Sequence, residues 1–321
     1  MLMVRGRMAT LRQLNKLLEM SAEDLYATGH WITFHGKPMF IGGVKRKRRP
    51  KKPDKPVGKV VTITKKDGST FKKRVYPKSW VNKQSKFKFA VMASLAKNVD
   101  RMDRMLTLES GRKKMDQKKA TATALKIMLL TGMRVGGGKG RTGMTKGEET
   151  YGTTSLERRH VKIEGDKVTF NYKGKSGVDQ HHEVVDADLA NAVRVFMGGQ
   201  DETSPEDKTP LFKYKTGRKT TDVLKRQDVA KRLKKFDPDY KPKDLRTLKA
   251  NTVASDELAN MLDEPRPSPT TKAAKKKFIK KTIDRITDKV ASVLGNTKSV
   301  AKSNYINPHL IEAALAEMGL S

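Results

Sequence analysis

Four separated groups of residues in this chain are suited to chemistry at a phosphodiester. They are Gly132-Met133-Arg134-Val135-Gly136, Tyr172-Lys173-Gly174-Lys175-Ser176-Gly177, Lys243-Asp244-Leu245-Arg246-Thr247, and the stretch from Gly295 to Tyr305. A guanidinium is a rigid fork that fits two phosphate oxygens and keeps its proton, so Arg134 and Arg246 are candidates for binding the phosphate. A lysine can protonate a leaving oxygen, and a tyrosine phenol can attack phosphorus. The set therefore predicts transesterification at phosphorus.

In their order and spacing, these groups resemble the type IB DNA topoisomerases, most closely the small poxvirus and bacterial forms. The resemblance covers roughly residues 80–320. It implies that Tyr305 is the nucleophile, that Arg134 and Arg246 hold the phosphate, and that Lys175 protonates the leaving 5′-oxygen, with Lys173 as the alternative acid. It further implies a 3′-phosphotyrosyl nick, strand rotation and religation, with no ATP, metal or other cofactor and with a monomer clamped on double-stranded DNA.

Asn296 departs from the poxvirus pattern, in which many members carry histidine nine residues before the tyrosine. An amide can donate a hydrogen bond to a non-bridging oxygen but cannot be cationic. We therefore expect Asn296 to be a catalytic residue that gives a slower chemical step than histidine. We also expect the rate to be less sensitive to pH between about 5.5 and 7.5, where a histidine would titrate.

The composition favours a polyanionic partner. Lys and Arg total 69 against 35 Asp and Glu, a formal net charge of +34, and nucleic acid is the usual ligand of so basic a protein. The absence of cysteine excludes disulfides, thiol catalysis and cysteine-based zinc sites. No apolar run approaches the roughly 18 residues of a membrane-spanning helix, and Met1–Arg12 lacks a secretory pattern. These features predict an intracellular, DNA-associated protein of the cytoplasm or nucleoid, or of a virion, that does not bind a membrane.

Further residues near the four groups are predicted to contact DNA. They are Lys139, Arg141, Tyr151, Lys173, Lys298 and Lys302. The first two lie in a glycine- and lysine-rich loop that also contains a formal dinucleotide-binding fingerprint at Gly138–Gly143. That fingerprint requires a strand before it and a helix after it, and the pattern here indicates neither. His181 and His182 are predicted to point to opposite faces of a strand, because side chains alternate, and no metal site is predicted.

Hydrophobic periodicity indicates the elements that must position these residues. It predicts an α+β fold, with a small basic N-terminal region (residues 1–79) and a mostly helical domain (residues 80–321) that carries a three-stranded sheet. The resemblance implies that the N-terminal region closes the DNA clamp and that residues 80–321 form a catalytic domain of the tyrosine recombinase and topoisomerase IB type. Helices are predicted at 9–27, 80–106, 118–131, 188–197, 222–235, 244–255, 272–294 and 309–320. A three-stranded antiparallel meander at 160–163, 167–172 and 180–185 carries Lys175 at its second turn. Hairpins are predicted at 31–41 and 59–75, with a basic linker at 45–56.

Two other functions remain open at this point. Tyrosine recombinases share the order of the four groups but usually carry histidine three residues before the second arginine, where this chain has Lys243. An architectural DNA-binding protein with an inactive site would bind DNA in a strongly salt-dependent manner and form no covalent adduct.

Overall fold

The computed structural model describes residues 59–64, 67–136, 149–265 and 269–317, with short strand segments at 3–4, 7–8, 30–34, 37–41 and 138–139. The helix predicted at 9–27, the linker predicted at 45–56 and the DNA contact predicted at Arg141 all lie outside the described residues.

The described N-terminal segments are paired strands. They are β1 (Met3–Val4) with β2 (Arg7–Met8), β3 (His30–Phe34) with β4 (Lys37–Ile41), and β5 (Lys59–Thr64) with β6 (Thr70–Val75), each pair antiparallel. Both predicted hairpins are confirmed. In the first hairpin Lys37 and Pro38 belong to β4. In the second hairpin the turn is formed by Asp67 and Gly68, with Gly68 at φ 78°.

Two long helices form the centre of the molecule. α1 (Lys78–Ser110) buries one apolar stripe along its length, and α2 (Gln117–Thr131) is buried on nearly every side, as its composition predicts. Asp116 caps α2 by accepting a hydrogen bond from Lys119 N at 3.0 Å, and Gly132 ends it in the left-handed conformation. The buried ammonium of Lys126 joins the two helices to the next part of the chain through Thr107 Oγ1 (2.6 Å) and Asp186 (2.9 Å).

The predicted meander is confirmed. β9 (Val161–Glu164), β10 (Lys167–Lys173) and β11 (Asp179–Val185) form an antiparallel sheet with β10 in the centre. Short strands β7 (Gly138–Lys139) and β8 (Glu149–Thr150) pair before it. α3 (Ala187–Phe196) follows and packs on β10, while α2 packs on β11, so the lysine hairpin is attached to the central helices.

The helix predicted at 222–235 is shorter than expected. Residues Thr221–Val223 form strand β13, which pairs with β12 (Lys213–Lys215), and α4 covers only Arg226–Lys234. Asp222 has a helix-start composition, but its carboxylate accepts hydrogen bonds from Val223 N and Lys225 Nζ instead. Pairing with β12 therefore overrides the local preference of these residues for a helix.

Four helices form the C-terminal part of the described chain. They are α5 (Pro242–Asp263), α6 (Lys272–Leu294), α7 (Lys298–Asn304) and α8 (Pro308–Glu317). The prediction for α6 is confirmed at both ends, α5 is eight residues longer at its C-terminus than predicted, and α7 was not predicted. Among the described residues, no helix is long and apolar enough to cross a membrane.

α5 belongs to both hydrophobic cores of the molecule. Its first half, with Leu245 and Leu248, packs into the core of α1, α2, the three-stranded sheet, α3 and α4, whereas Ala250 and Val253 pack into the core of α6, α7 and α8. Arg246, with Arg134 and Asn296 beside it, lies where the two cores meet. The observed mixture of helices and small antiparallel sheets agrees with the predicted α+β class.

Candidate active site

The end of α2 places Arg134. Gly132 has φ 71°, and a Cβ there would lie 3.0 Å from Lys249 Cβ and 3.1 Å from Leu294 Cδ2, so α5 and α6 pass too closely for a larger residue. The carbonyl of Arg134 then accepts hydrogen bonds from Thr153 N (2.8 Å) and Thr153 Oγ1 (3.1 Å). These bonds fix the backbone that carries the first guanidinium.

Arg246 joins the ends of two helices. Its side chain is 2% exposed, and its guanidinium donates to Gly132 O at 2.7 Å and to Leu294 O, the carbonyls at the C-termini of α2 and α6. A cation is favourable at helix C-termini, where carbonyl groups lack helical partners. Burial, and then the nearby charge of Arg134, lowers the pKa of Arg246 to about 10. The guanidinium is therefore still protonated at neutral pH.

Asn296 lies between the two arginines. Its Oδ1 accepts a 2.8 Å hydrogen bond from Arg134 Nη2 and a 3.2 Å hydrogen bond from Arg246 Nη2. Two donors on this atom identify it as the oxygen, so the amide nitrogen must point the other way. Within the described part of the chain, Asn296 Nδ2 is buried and has no hydrogen-bond partner. The amide can thus offer N–H donors beside two guanidinium groups.

Tyr305 follows α7 directly, and its ring is buried. The side chain is 7% exposed. Lys243 Nζ and Arg246 Cζ each lie 5.4 Å from the centroid of the ring. The phenol is therefore in a cationic environment at the edge of the C-terminal core, next to the arginine pair.

Asn251, which the sequence analysis missed, holds the backbone of the tyrosine segment. It lies on α5, and its Nδ2 donates to Tyr305 O at 2.8 Å while its Oδ1 accepts from Asn307 N at 2.8 Å. Asn251 lies five residues after Arg246 on α5, and side chains at this spacing do not share a helix face, so the motif around Arg246 gave no signal for it.

Lys175 lies on the hairpin between β10 and β11, separate from the arginine pair. Its side chain is exposed, and the turn that follows has Ser176 at φ 67° and Gly177 at φ 72°. The base of this hairpin nevertheless packs beside the site, because the buried side chain of Gln180 lies against Gly295, the residue before Asn296. A Cβ on Gly295 would overlap the Gln180 amide, so hairpin and turn are in close contact.

The predicted DNA contacts occupy several surfaces. Lys173 and Tyr151 line a cleft of about 640 Å³ beside the hairpin, in which the Tyr151 hydroxyl bonds to Glu149 (3.1 Å) and receives a 3.3 Å hydrogen bond from Arg159. Lys302 is exposed on α7. Lys298 is exposed and forms a 2.5 Å ion pair with Asp288 of α6. Lys139 lies in β7, and its side chain is not described.

The histidine pair alternates as predicted. His181 is exposed, whereas His182 is 6% exposed and stacks on Tyr172 with 6.1 Å between ring centroids. Burial, and to a smaller extent the charge of Arg246, lowers the pKa of His182 to about 4. His182 is therefore neutral at pH 7. Among the described residues, no group of three or more His, Asp or Glu side chains is arranged to hold a metal ion.

Comparison with known proteins identifies the family. Residues 69–318 match the family described as "Eukaryotic DNA topoisomerase I, catalytic core". The chain is 22% identical over 265 residues to "DNA topoisomerase 1B" of Acanthamoeba polyphaga mimivirus, covering 81% of this chain and 73% of that protein.

It is also 28% identical over 175 residues to "DNA topoisomerase I" of Monkeypox virus and to "DNA topoisomerase 1B" of Vaccinia virus, covering 54% of this chain and 48% of each of those proteins. The match to the poxvirus proteins thus spans about half of their length. The family match covers the arginine pair, the lysine hairpin and the tyrosine segment. The chain therefore belongs to the family of the eukaryotic DNA topoisomerase I catalytic core, and its activity is that of a type IB DNA topoisomerase.

Proposed function

We propose that this protein relaxes supercoiled duplex DNA by a transient nick at which Tyr305 becomes linked to the 3′-phosphate. The phenol oxygen forms a bond to phosphorus as the bond between phosphorus and the 5′-oxygen breaks, and the free strand rotates before the reaction reverses. The phosphotyrosyl ester conserves the energy of the broken bond. The observation that carries this proposal is the acceptance by one atom, Asn296 Oδ1, of hydrogen bonds from both Arg134 and Arg246, next to the Tyr305 ring.

The arginine pair is assigned to the non-bridging oxygens. Negative charge develops on these oxygens as the phenol attacks, and fixed donors that are already in position stabilise it without reorganisation. Asn296 bridges the two guanidinium groups through its oxygen, which accepts from both, and is assigned to supply a further donor through Nδ2. Its placement supports the role predicted for it.

Lys175 is assigned as the acid that protonates the leaving 5′-oxygen, with Lys173 as the alternative. Both side chains are exposed on one hairpin, and Gln180 packs the base of that hairpin against Gly295. A substrate with sulfur in place of the bridging 5′-oxygen tests which of the two lysines is the acid. A thiolate leaves without protonation. This substrate should therefore restore cleavage when the lysine that acts as the acid is replaced, and should not do so when the other of the two lysines is replaced.

The substrate is DNA, and we propose further that a single copy of the chain encloses the duplex. In this proposal residues 1–79 close the clamp opposite a catalytic domain of the tyrosine recombinase type formed by residues 80–321. The exposed basic residues of β5, β6 and α6 supply a positive surface for backbone contacts. An enzyme that relaxes DNA acts where DNA is kept, so we place it inside the cell or in a virion.

The test is relaxation of supercoiled plasmid in EDTA without ATP, with Tyr305→Phe and, as a matched control, Tyr76→Phe, which alters an exposed tyrosine before α1. We expect the wild type and Tyr76→Phe to relax the plasmid and to form a covalent adduct, and Tyr305→Phe to do neither. Relaxation by Tyr305→Phe would refute the assigned nucleophile. Binding of DNA without relaxation by the wild type would favour an architectural role.

A further inference from the structure

Lys88 connects α1 to the residue that precedes the tyrosine. Its Nζ donates a 3.0 Å hydrogen bond to the carbonyl oxygen of Asn304, across 216 positions of the chain. Asn304 is the last residue of α7, and Tyr305 is the next residue. The contact therefore holds the C-terminal end of the helix that carries Tyr305 to the longest helix of the molecule.

The surroundings of Lys88 disfavour a positive charge. The neighbouring side chains Phe87 and Phe89 are buried in the main core, and Lys88 itself is partly buried. Burial, and then the charge of Lys243, lowers the pKa of Lys88 to about 8, while Asp244 opposes the shift. The hydrogen bond to Asn304 O offsets the cost of burying this charge. A cation is favourable there because the last carbonyls of a helix lack helical partners.

Lys88 and Asn251 hold the tyrosine segment from two sides. Asn251 of α5 donates to Tyr305 O at 2.8 Å, and Lys88 of α1 donates to the carbonyl of the preceding residue. Consecutive carbonyls are thus fixed by side chains of two different helices. α7 itself has seven residues, and its backbone bonds Tyr305 N to Ala301 O at 3.1 Å, so these two side chains add contacts from outside a short helix.

We propose that Lys88 is a positioning residue for the nucleophile, acting through the carbonyl of Asn304 on the backbone of Tyr305. The inference rests on the proposed role of Tyr305 as the nucleophile. In-line attack requires the phenol oxygen close to phosphorus and aligned with the leaving oxygen, and a misplacement of about 1 Å can lower the rate on the order of 100-fold. Loss of Lys88 should therefore slow the chemical step and leave the affinity for DNA nearly unchanged.

The experiment compares Lys88→Met, Lys88→Arg and the control Lys86→Met, which removes an exposed lysine two residues earlier on the same helix. Formation of the covalent adduct is followed in a single turnover at saturating protein, and DNA affinity is measured separately in a Tyr305→Phe background. For Lys88→Met we expect a rate about 10- to 100-fold lower with an affinity within about twofold of wild type. Lys88→Arg, which keeps a charged donor, should recover part of the rate, and Lys86→Met should keep all of it.

Three results would overturn the proposal. They are an unchanged saturated rate in Lys88→Met, a loss that disappears when more protein is added, which would make Lys88 a DNA contact, and an equal loss in Lys88→Arg. Thermal melting of each variant is recorded. If Lys88→Met does not fold, Lys88→Gln, which keeps a neutral donor, takes its place and should retain an intermediate rate. Mapping the DNA-linked peptide of the wild type tests Tyr305 itself, so failure of the nucleophile assignment is recognised separately.

Discussion

Arg134 Nη2 donates a 2.8 Å hydrogen bond to Asn296 Oδ1, the same oxygen that accepts a hydrogen bond from Arg246. The contact joins the segment that follows α2 to the segment that follows α6 and turns the amide nitrogen of Asn296 away from both arginines. A polar side chain that could donate in either direction is thereby given one orientation. The geometry leads to the following predictions.

Asn296→Ala should lower the single-turnover rate of cleavage by about 10²- to 10³-fold, because in the proposed mechanism it removes one donor to the transition-state oxygens and the acceptor shared by the two guanidinium groups. DNA affinity should change little. The matched control is Asn82→Ala, which removes an exposed amide on α1. A rate within a few fold of wild type would show that Asn296 does not face the phosphate.

Asn296→His should increase the cleavage rate and make it depend on pH between about 5.5 and 7.5. The positive charges of the two arginines disfavour protonation of a histidine beside them. The increase in rate should therefore be greatest at the acid end of this range. Rates of adduct formation measured across this range for both proteins check the expectation. A histidine variant that is no faster at any pH would contradict it.

Arg246→Ala should lower the free energy of unfolding by about 2–4 kcal/mol, because the carbonyls of Gly132 and Leu294 lose a charged donor in a buried location. It should also abolish detectable relaxation. Arg246→Lys should recover part of the stability and little of the activity, since an ammonium cannot reproduce the fork. Urea denaturation with Arg218→Ala, an exposed arginine, as the control measures the difference.

Gly295→Ala should destabilise the protein more than Gly165→Ala, although both glycines have a positive φ, 54° and 61°. A Cβ at Gly165 meets no atom within 4 Å, whereas a Cβ at Gly295 overlaps the Gln180 amide. We expect about 1–2 kcal/mol for Gly165→Ala from backbone strain alone and at least about 1 kcal/mol more for Gly295→Ala. Adding Gln180→Ala to Gly295→Ala should recover this difference, and additive effects would exclude the contact.

His182→Phe should reduce the loss of stability on acidification. The unfolded chain binds a proton at this residue below about pH 6.5, whereas the folded chain resists it down to a pKa of about 4, so the free energy of unfolding falls as the pH decreases through this window. Between pH 7 and pH 5 the variant should lose about 2 kcal/mol less than the wild type. His160, whose pKa burial also lowers to about 4, retains its share in both proteins. His181→Phe, on the exposed face, is the control and should behave like wild type.

Local signals in the chain were sufficient for most of the helices and strands and for the identity of the family. Thr271 caps the start of α6 and Gly295 ends it in the left-handed conformation, so both ends of this helix could be predicted from residue types alone. The same holds for the end of α2 at Gly132 and for the alternation of His181 and His182. The predicted start of a helix at Asp222 is wrong because this residue lies in a strand that pairs with Lys213–Lys215, and a helical pattern gives no information about strand pairing.

Contacts between distant parts of the chain decided how the candidate site is arranged. The order of Arg134, Arg246 and Asn296 predicted a common function, but that one amide oxygen accepts from both arginines depends on the C-terminal ends of α2 and α6 meeting the first turns of α5. The burial of Tyr305 and the bond from Lys88 to Asn304 O have the same origin. Periodicity reports which face of an element is apolar, whereas the partner of a buried polar atom is chosen by packing across hundreds of residues.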